Sequence, residues 1–371
     1  MPGMTGRILM TADAVGGVWT YALELARGLA VADIETTLGV LGPVPSAAQL
    51  NDARNVPGLT ITQTGFPLDW SADIDATLIE QSAAGLADLA SDIRADVVHL
   101  NSPIFASGAR FPGPVIGVCH SCLGTWWRAV QGDAPLPAEF AWRGELLKLG
   151  YQRCQALVAP SEAFATATAT VHRLAVRPVV VHNGRDAHHR PPSPRSTTSI
   201  FTAGRLWDEG KNARTLDRAA ALLNAPVYAA GPLTSPDGQI TRFDHLRPLG
   251  KLNDDQIAEW LAARPIFVSV SRYEPFGLAV LEAASAGCAL VLSDIPTFRD
   301  LWHDAASFVS ADDPVEIAAA LQAMLEQPDR RRQQGMEASK RAAIYSVARM
   351  TERMLAIYAD VTGRFAQPVA A

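Results

Sequence analysis

Charge is scarce in this chain and nearly balanced: 19% of the 371 residues are charged, with 32 basic against 38 acidic side chains and a formal net charge of -6. A slight negative surplus repels a polyphosphate backbone, which argues against an extended nucleic-acid surface and in favour of small-molecule partners. Cysteine is sparse as well. Cys119, Cys122, Cys154 and Cys288 are scattered, as expected of a reducing compartment. Cys119-His-Ser-Cys122 has C-x-x-C spacing, but no second Cys or His pair follows at finger-like spacing, so the cysteines read as structural thiols. No apolar run reaches the roughly 18 residues that would cross a bilayer. Met1 to Arg7 lacks the apolar centre of a signal peptide, so the chain is expected in the cytoplasm. A G-x-G-x-x-G fingerprint after the first strand is also missing, which removes the main support for a nicotinamide-dependent oxidoreductase.

What is present is enough apolar material, 48% of 371 residues, for two buried cores. Strand-like runs at Arg7–Thr11, Glu35–Leu41, Asp96–Leu100, Pro114–Cys119 and Ala156–Ala159 alternate with helical periodicity. That alternation implies an α/β chain with a doubly wound parallel sheet. The pattern restarts at Ser199–Ala203, after the Pro- and Ser-rich stretch Arg190–Thr198. We therefore expect a first domain over 1–189, a linker over 190–198 and a second domain over 199–346, followed by a final helix from Val347 that either caps the second domain or crosses back to the first.

The most informative stretch is Ser271 to Asp294, SRYEPFGLAVLEAASAGCALVLSD. It reads as an acidic turn, a helix closed by Gly287, and a buried strand, and it follows the strand Ile266–Val270. A helix that starts directly after a parallel strand presents free amides and the positive end of its dipole, so the turn at Phe276, Gly277 and Leu278 suits a phosphate. Glu274 and Glu282 bracket that turn about two helical turns apart, too far to share one atom but able to grip two ends of an extended ligand. Glu282 sits among small and apolar residues, where a carboxylate without a partner is costly to bury. In the second-domain loop after Ala203, Arg205 and Lys211 form a natural diphosphate clamp.

Glu274-Pro-Phe-Gly-Leu-Ala-Val-Leu-Glu282 resembles the E-x7-E motif of retaining glycosyltransferases of family 4, and Gly204-Arg205-Leu206 with Lys211 is similar to their G-R-L…K motif, the lysine one residue later than is commonest. The resemblance runs along nearly the whole chain in order. It implies the GT-B fold: two Rossmann-like doubly wound domains facing a cleft. It further implies a retaining transfer of a hexose from a nucleotide diphosphate sugar to an acceptor hydroxyl. By the same resemblance Arg205 and Lys211 bind the diphosphate with the amides of Phe276, Gly277 and Leu278, Glu282 holds the ribose and Glu274 orients the sugar. Gly16 and Gly17, after the first strand, lie near the donor phosphates and the acceptor, and His120 lines the sugar site. His99, inside a strand, reads as a core histidine. A front-face mechanism is expected, the departing phosphate taking the acceptor proton.

No Asp-x-Asp pair accompanies these motifs, so neither a metal nor another cofactor is expected. Trp126 and Trp127 beside Arg128 suit either an acceptor sugar or core cover; peripheral membrane contact has no further support. Two other functions use the same features: a sugar phosphorylase of related fold, whose basic clamp holds inorganic phosphate, and a noncatalytic sugar-nucleotide sensor. Donor base, hexose and acceptor depend on loop shape.

Overall fold

The structure, a computed structural model, describes residues 6–71, 74–186, 199–236 and 238–365. The segment 190–198, read as a linker, lies outside the described residues. In chain order the elements are β1 (Gly6–Asp13), α1 (Gly17–Val31), β2 (Ile34–Leu41), α2 (Ala47–Arg54), β3 (Leu59–Gln63), α3 (Ala76–Asp92), β4 (Val97–Leu100), β5 (Val115–Val118), α4 (Leu123–Gln131), α5 (Ala141–Arg153), β6 (Ala156–Ala159), α6 (Glu162–His172) and β7 (Val179–Val180). There follow β8 (Ile200–Ala203), α7 (Ala213–Ala220), β9 (Val227–Ala230), β10 (Arg247–Gly250), α8 (Asp254–Ala262), β11 (Ile266–Ser269), α9 (Leu278–Ser285), β12 (Leu290–Ser293), α10 (Pro296–Trp302), β13 (Ser307–Val309), α11 (Pro314–Glu326), α12 (Pro328–Ala342) and α13 (Val347–Thr362).

The chain divides into two compact units. The first takes the described residues to Trp127, Asp133–Gly184 and the chain from Val347; the second takes Arg128–Gly132 and Arg185–Ser346. Unit one carries a seven-stranded sheet of order β3-β2-β1-β4-β5-β6-β7, every pair parallel. Its central strands are buried on both faces. Ile8, Met10 and Ala12 face a layer with Leu25 and Leu29 of α1, whereas Leu9 faces Ile79 and Leu86 of α3. α13 completes the first layer through Met350, Met354 and Tyr358. It packs tightly on α1: a Cβ on Gly28 would lie 1.8 Å from Oγ1 of Thr351.

Unit two carries a six-stranded parallel sheet of order β10-β9-β8-β11-β12-β13. Ile200, Val268 and Val291 point into one layer with α7 and α11; Phe201, Phe267 and Leu290 point into the other with α9 and Trp302. In each sheet the strand order reverses once, between β1 and β4 in unit one and between β8 and β11 in unit two. Ligands of open parallel sheets bind outside the carboxyl ends of the strands at such a reversal.

Several local expectations shift. Trp126 and Trp127 lie in α4, and α5 starts at Ala141 because Ala138–Phe140 forms a separate 3-10 turn after Pro137. α2, β3 and α8 were not anticipated; α2 and α8 each open with a full capping box, Ser46 with Gln49 and Asn253 with Gln256.

Candidate functional site

The loops after β8 and β11 meet at the reversal of unit two. After β8 the chain runs through Gly204 and Arg205 to a 3-10 turn at Glu209–Lys211, which Asp208 caps by accepting the Gly210 N–H at 2.8 Å. Asn212 is left-handed at φ 56°, and its buried side chain donates to the carbonyls of Val270 (3.0 Å) and Ala311 (2.7 Å). The Gly210 carbonyl accepts the backbone N–H groups of Arg272 and Tyr273, tying this loop to the one after β11. Lys211 and Glu274 are thereby brought into a direct ion pair, with 22% and 12% of their side chains exposed. These were two separate assignments on the sequence, and the structure puts them on one contact.

Arg205 goes elsewhere. Its guanidinium pairs with Asp208 at 2.8 Å and lies over the Trp207 ring, 5.7 Å from the centroid, while its buried Nε has no hydrogen-bond partner among the described residues. α9 starts at Gly277, which is left-handed at φ 91° and supplies no side-chain cap. Only glycine adopts that backbone readily, and a Cβ would also sit 3.3 Å from Cγ of Glu274.

Glu282 does not stand as an open carboxylate. Its Oε1 lies 2.8 Å from Nε of Arg185, a guanidinium only 7% exposed that also pairs with Asp254 at 2.9 Å. The partner that burial of Glu282 demands therefore exists, and the sequence reading missed it. The signal was the demand itself, because a carboxylate in an apolar helix implies a cation from another segment.

In unit one the Gly16 and Gly17 loop follows β1. Gly16 is extended at φ -140°, and the loop is held by Asp13, whose carboxylate accepts the N–H groups of Val15 (2.8 Å) and Gly16 (3.1 Å). His120 follows β5, half-buried, with Nε2 2.8 Å from Oδ1 of Asn101 and its ring edge-on to Tyr21 at 4.6 Å. His99 is fully buried, as expected of a core histidine. It is also bonded into the same group: Nε2 is 3.1 Å from Oδ1 of Asn101, and Nδ1 is 2.6 Å from the Tyr358 hydroxyl. Asn101, at the end of β4, bridges to β1 through Thr11. The sequence reading did not single it out. The four cysteines are free thiols, and Sγ of Cys122 lies 3.2 Å from Nε2 of His172.

Burial holds three histidines neutral, lowering His99 to about 4, His120 to about 3 and His172 to about 4, with His99 adding to the effect on His120. Unfolded, each would titrate near pH 6.5. Between those values the unfolded chain binds protons that the folded chain refuses, so their contribution is fully present above about pH 6.5 and is lost as pH falls toward 4. Each contributes a slope of up to about 1.4 kcal/mol per pH unit. Thermal melts from pH 7 to 4.5 should show a falling Tm, with a shallower fall in His99→Gln. A Tm independent of pH in that window would show that these histidines take up protons in the fold as readily as in the unfolded chain.

Asp-x-Asp spacing occurs once in the sequence, at Asp73 and Asp75, away from the donor motifs; Asp75 caps α3 by accepting the Leu78 N–H at 2.8 Å. Among the described residues no group of three or more His, Cys, Asp or Glu side chains is placed to hold a metal ion, and no helix is long and apolar enough to cross a membrane.

Residues 15–189 match the family Glycosyltransferase Family 4, and residues 243–341 match Glycosyl transferases group 1. D-inositol 3-phosphate glycosyltransferase 1 of Catenulispora acidiphila is 26% identical over 388 residues, covering 92% of this chain and 90% of its own. Among solved structures, sucrose-phosphate synthase from Thermosynechococcus elongatus superposes with a TM-score of 0.75 at 17% identity, over 96% of this chain and 99% of its own. Anabaena HepE, solved with UDP-glucose, superposes with a TM-score of 0.74 at 17% identity, over 95% and 99%. The two parallel-sheet units have the GT-B architecture. The chain belongs to glycosyltransferase family 4, within the glycosyl transferases of group 1, and is a glycosyltransferase.

Proposed function

We propose that the protein transfers a hexose from a nucleotide diphosphate sugar to an acceptor hydroxyl with retention at the anomeric carbon. The observation that carries this reading is the Lys211–Glu274 pair across the strand-order reversal of unit two, beside the uncapped start of α9. A cation and a row of backbone amides suit a diphosphate, and the adjacent carboxylate suits sugar hydroxyls. Lys211 and Arg205, with the amides of Phe276, Gly277 and Leu278, stabilise the leaving diphosphate as its charge grows. Glu274 is held by Lys211 and serves to orient the donor sugar rather than to attack it.

Glu282, held by Arg185, binds the ribose hydroxyls through its carboxylate oxygens. In unit one, His120 offers the sugar a neutral imidazole, and Gly16 and Gly17 leave the backbone open to substrate. The C–O bond to the leaving phosphate breaks, the acceptor oxygen bonds to the same face of the anomeric carbon, and its proton passes to the departing phosphate oxygen. No step calls for a metal or other cofactor, and free cysteines agree with a cytoplasmic setting. That HepE is solved with UDP-glucose favours a nucleotide-sugar donor.

The test is nucleoside diphosphate release from UDP-, GDP- and ADP-sugars in the presence of chelator, wild type beside Glu282→Gln. Glutamine is chosen over alanine because it keeps a group opposite the buried Arg185. Release from one nucleotide class with a loss of at least about tenfold in the variant is expected, from one charge-assisted contact. Absence of both release and binding for every donor, with phosphate released from a sugar 1-phosphate during disaccharide synthesis, would replace this reading by phosphorolysis.

A further inference from the structure

We propose that Asn101 is a positioning residue that fixes His120 as its Nε2–H tautomer, leaving a bare Nδ1 that accepts a hydrogen bond from a substrate hydroxyl. The inference rests on the reading above, in which His120 meets a sugar. Asn101 Nδ2 lies 2.7 Å from the backbone carbonyl oxygen of Thr11, an atom that can only accept. The amide therefore has one allowed orientation, with Nδ2–H donating to Thr11 and Oδ1 on the opposite side; the reverse would set two acceptors against each other. Oδ1 is itself only an acceptor, and it faces Nε2 of His120 at 2.8 Å and Nε2 of His99 at 3.1 Å. Both nitrogens must carry the proton.

The rest of the chain of contacts agrees. With Nε2 protonated, neutral His99 has a bare Nδ1, which accepts the Tyr358 O–H at 2.6 Å. The Tyr21 hydroxyl, 3.5 Å from Nε2 of His99, is too distant to compete. Burial keeps both rings neutral. Nδ1 of His120 has no hydrogen-bond partner among the described residues. The orientation of one side chain at the end of β4 thus decides whether His120 offers the substrate an acceptor or a donor, and every member of the set belongs to unit one.

The experiment is nitrogen-15 NMR of histidine-labelled full-length protein at neutral pH, where protonated and bare ring nitrogens resonate far apart, with the His120 signals assigned through His120→Gln. Wild type should show His120 as a single neutral Nε2–H form. Asn101→Leu should release it to a mixture of tautomers and lower kcat about tenfold with KM for the donor nearly unchanged. Asn101→Ala, which removes the same oxygen without adding apolar bulk, should likewise give a mixture of tautomers and decides the matter if the leucine variant does not fold. A wild-type Nδ1–H or mixed form, or Asn101→Leu with an unaltered tautomer, overturns the proposal. The spectra need no substrate. The expected tautomers in a protein that transfers no sugar would therefore overturn the functional reading alone.

Discussion

Lys211→Ala is expected to lower kcat/KM for sugar transfer by about 10²- to 10³-fold, the usual cost of removing one donor that stabilises developing charge. Two effects act together. The departing diphosphate loses a cation, and Glu274, which is only 12% exposed and is paired with Lys211, is left as an uncompensated negative charge beside the amides meant for the phosphates. The second effect is removable. In the double variant Lys211→Ala/Glu274→Ala, donor KM should recover a substantial part of what the single variant lost, while kcat stays low because neither charge stabilisation nor sugar orientation returns. Steady-state kinetics on the two single variants and the double variant form a closed cycle in which non-additivity is the signature of a working pair. A lysine variant within about threefold of wild type would remove Lys211 from the donor clamp.

Gly231→Ala should be the most damaging single substitution in unit two outside its ionic residues. Gly231 follows β9 with φ at 139°, a backbone region that residues with a Cβ rarely adopt, and a Cβ there would lie 1.7 Å from the Gly204 carbonyl oxygen. That obstacle is backbone, so relief requires β8 or β9 to move. Because Gly204 immediately precedes Arg205, the displacement goes straight into the donor loop. A loss of stability on the order of 4 kcal/mol or more is expected in urea unfolding. Gly250→Ala is the control: Gly250 is also left-handed, at φ 70°, but its Cβ would meet open space, so only the backbone cost of about 1–2 kcal/mol applies. Equal losses in the two variants would show that the carbonyl contact is irrelevant.

The alternation of strands and helices was largely legible because β-branched runs and glycine stops are local signals. The E-x7-E helix was legible for the same reason, since Gly277 and Glu282 lie within one short element. Arg185 was not, because its pairing with Glu282 joins distant parts of the chain and nothing near Val181–Gly184 announces a buried guanidinium. Asn101 was missed likewise: its importance comes from Thr11 on β1, His120 after β5 and His99 on its own strand, which only the sheet order β1-β4-β5 brings together. α4 carries no clear helical signal in the sequence, because Gly124 and paired tryptophans are poor helix formers and Pro135 and Pro137 lie just beyond it. The Lys211–Glu274 contact lies between these cases. Each residue was marked by its own motif, but their meeting follows from adjacency of β8 and β11.

The membership of α13 in unit one has a bearing on synthesis. Met350, Met354, Leu355 and Tyr358 fill the layer that covers Ile8, Met10 and α1, yet they are made after all of unit two. On the ribosome, unit two has its own sequence complete while unit one still exposes an apolar face and leaves His99 without the Tyr358 hydroxyl. A chain ending before Val347 should therefore contain a protease-resistant second unit joined to a first unit that is readily cut. Release of the final helix closes the first unit and supplies the last member of its buried polar chain in one step.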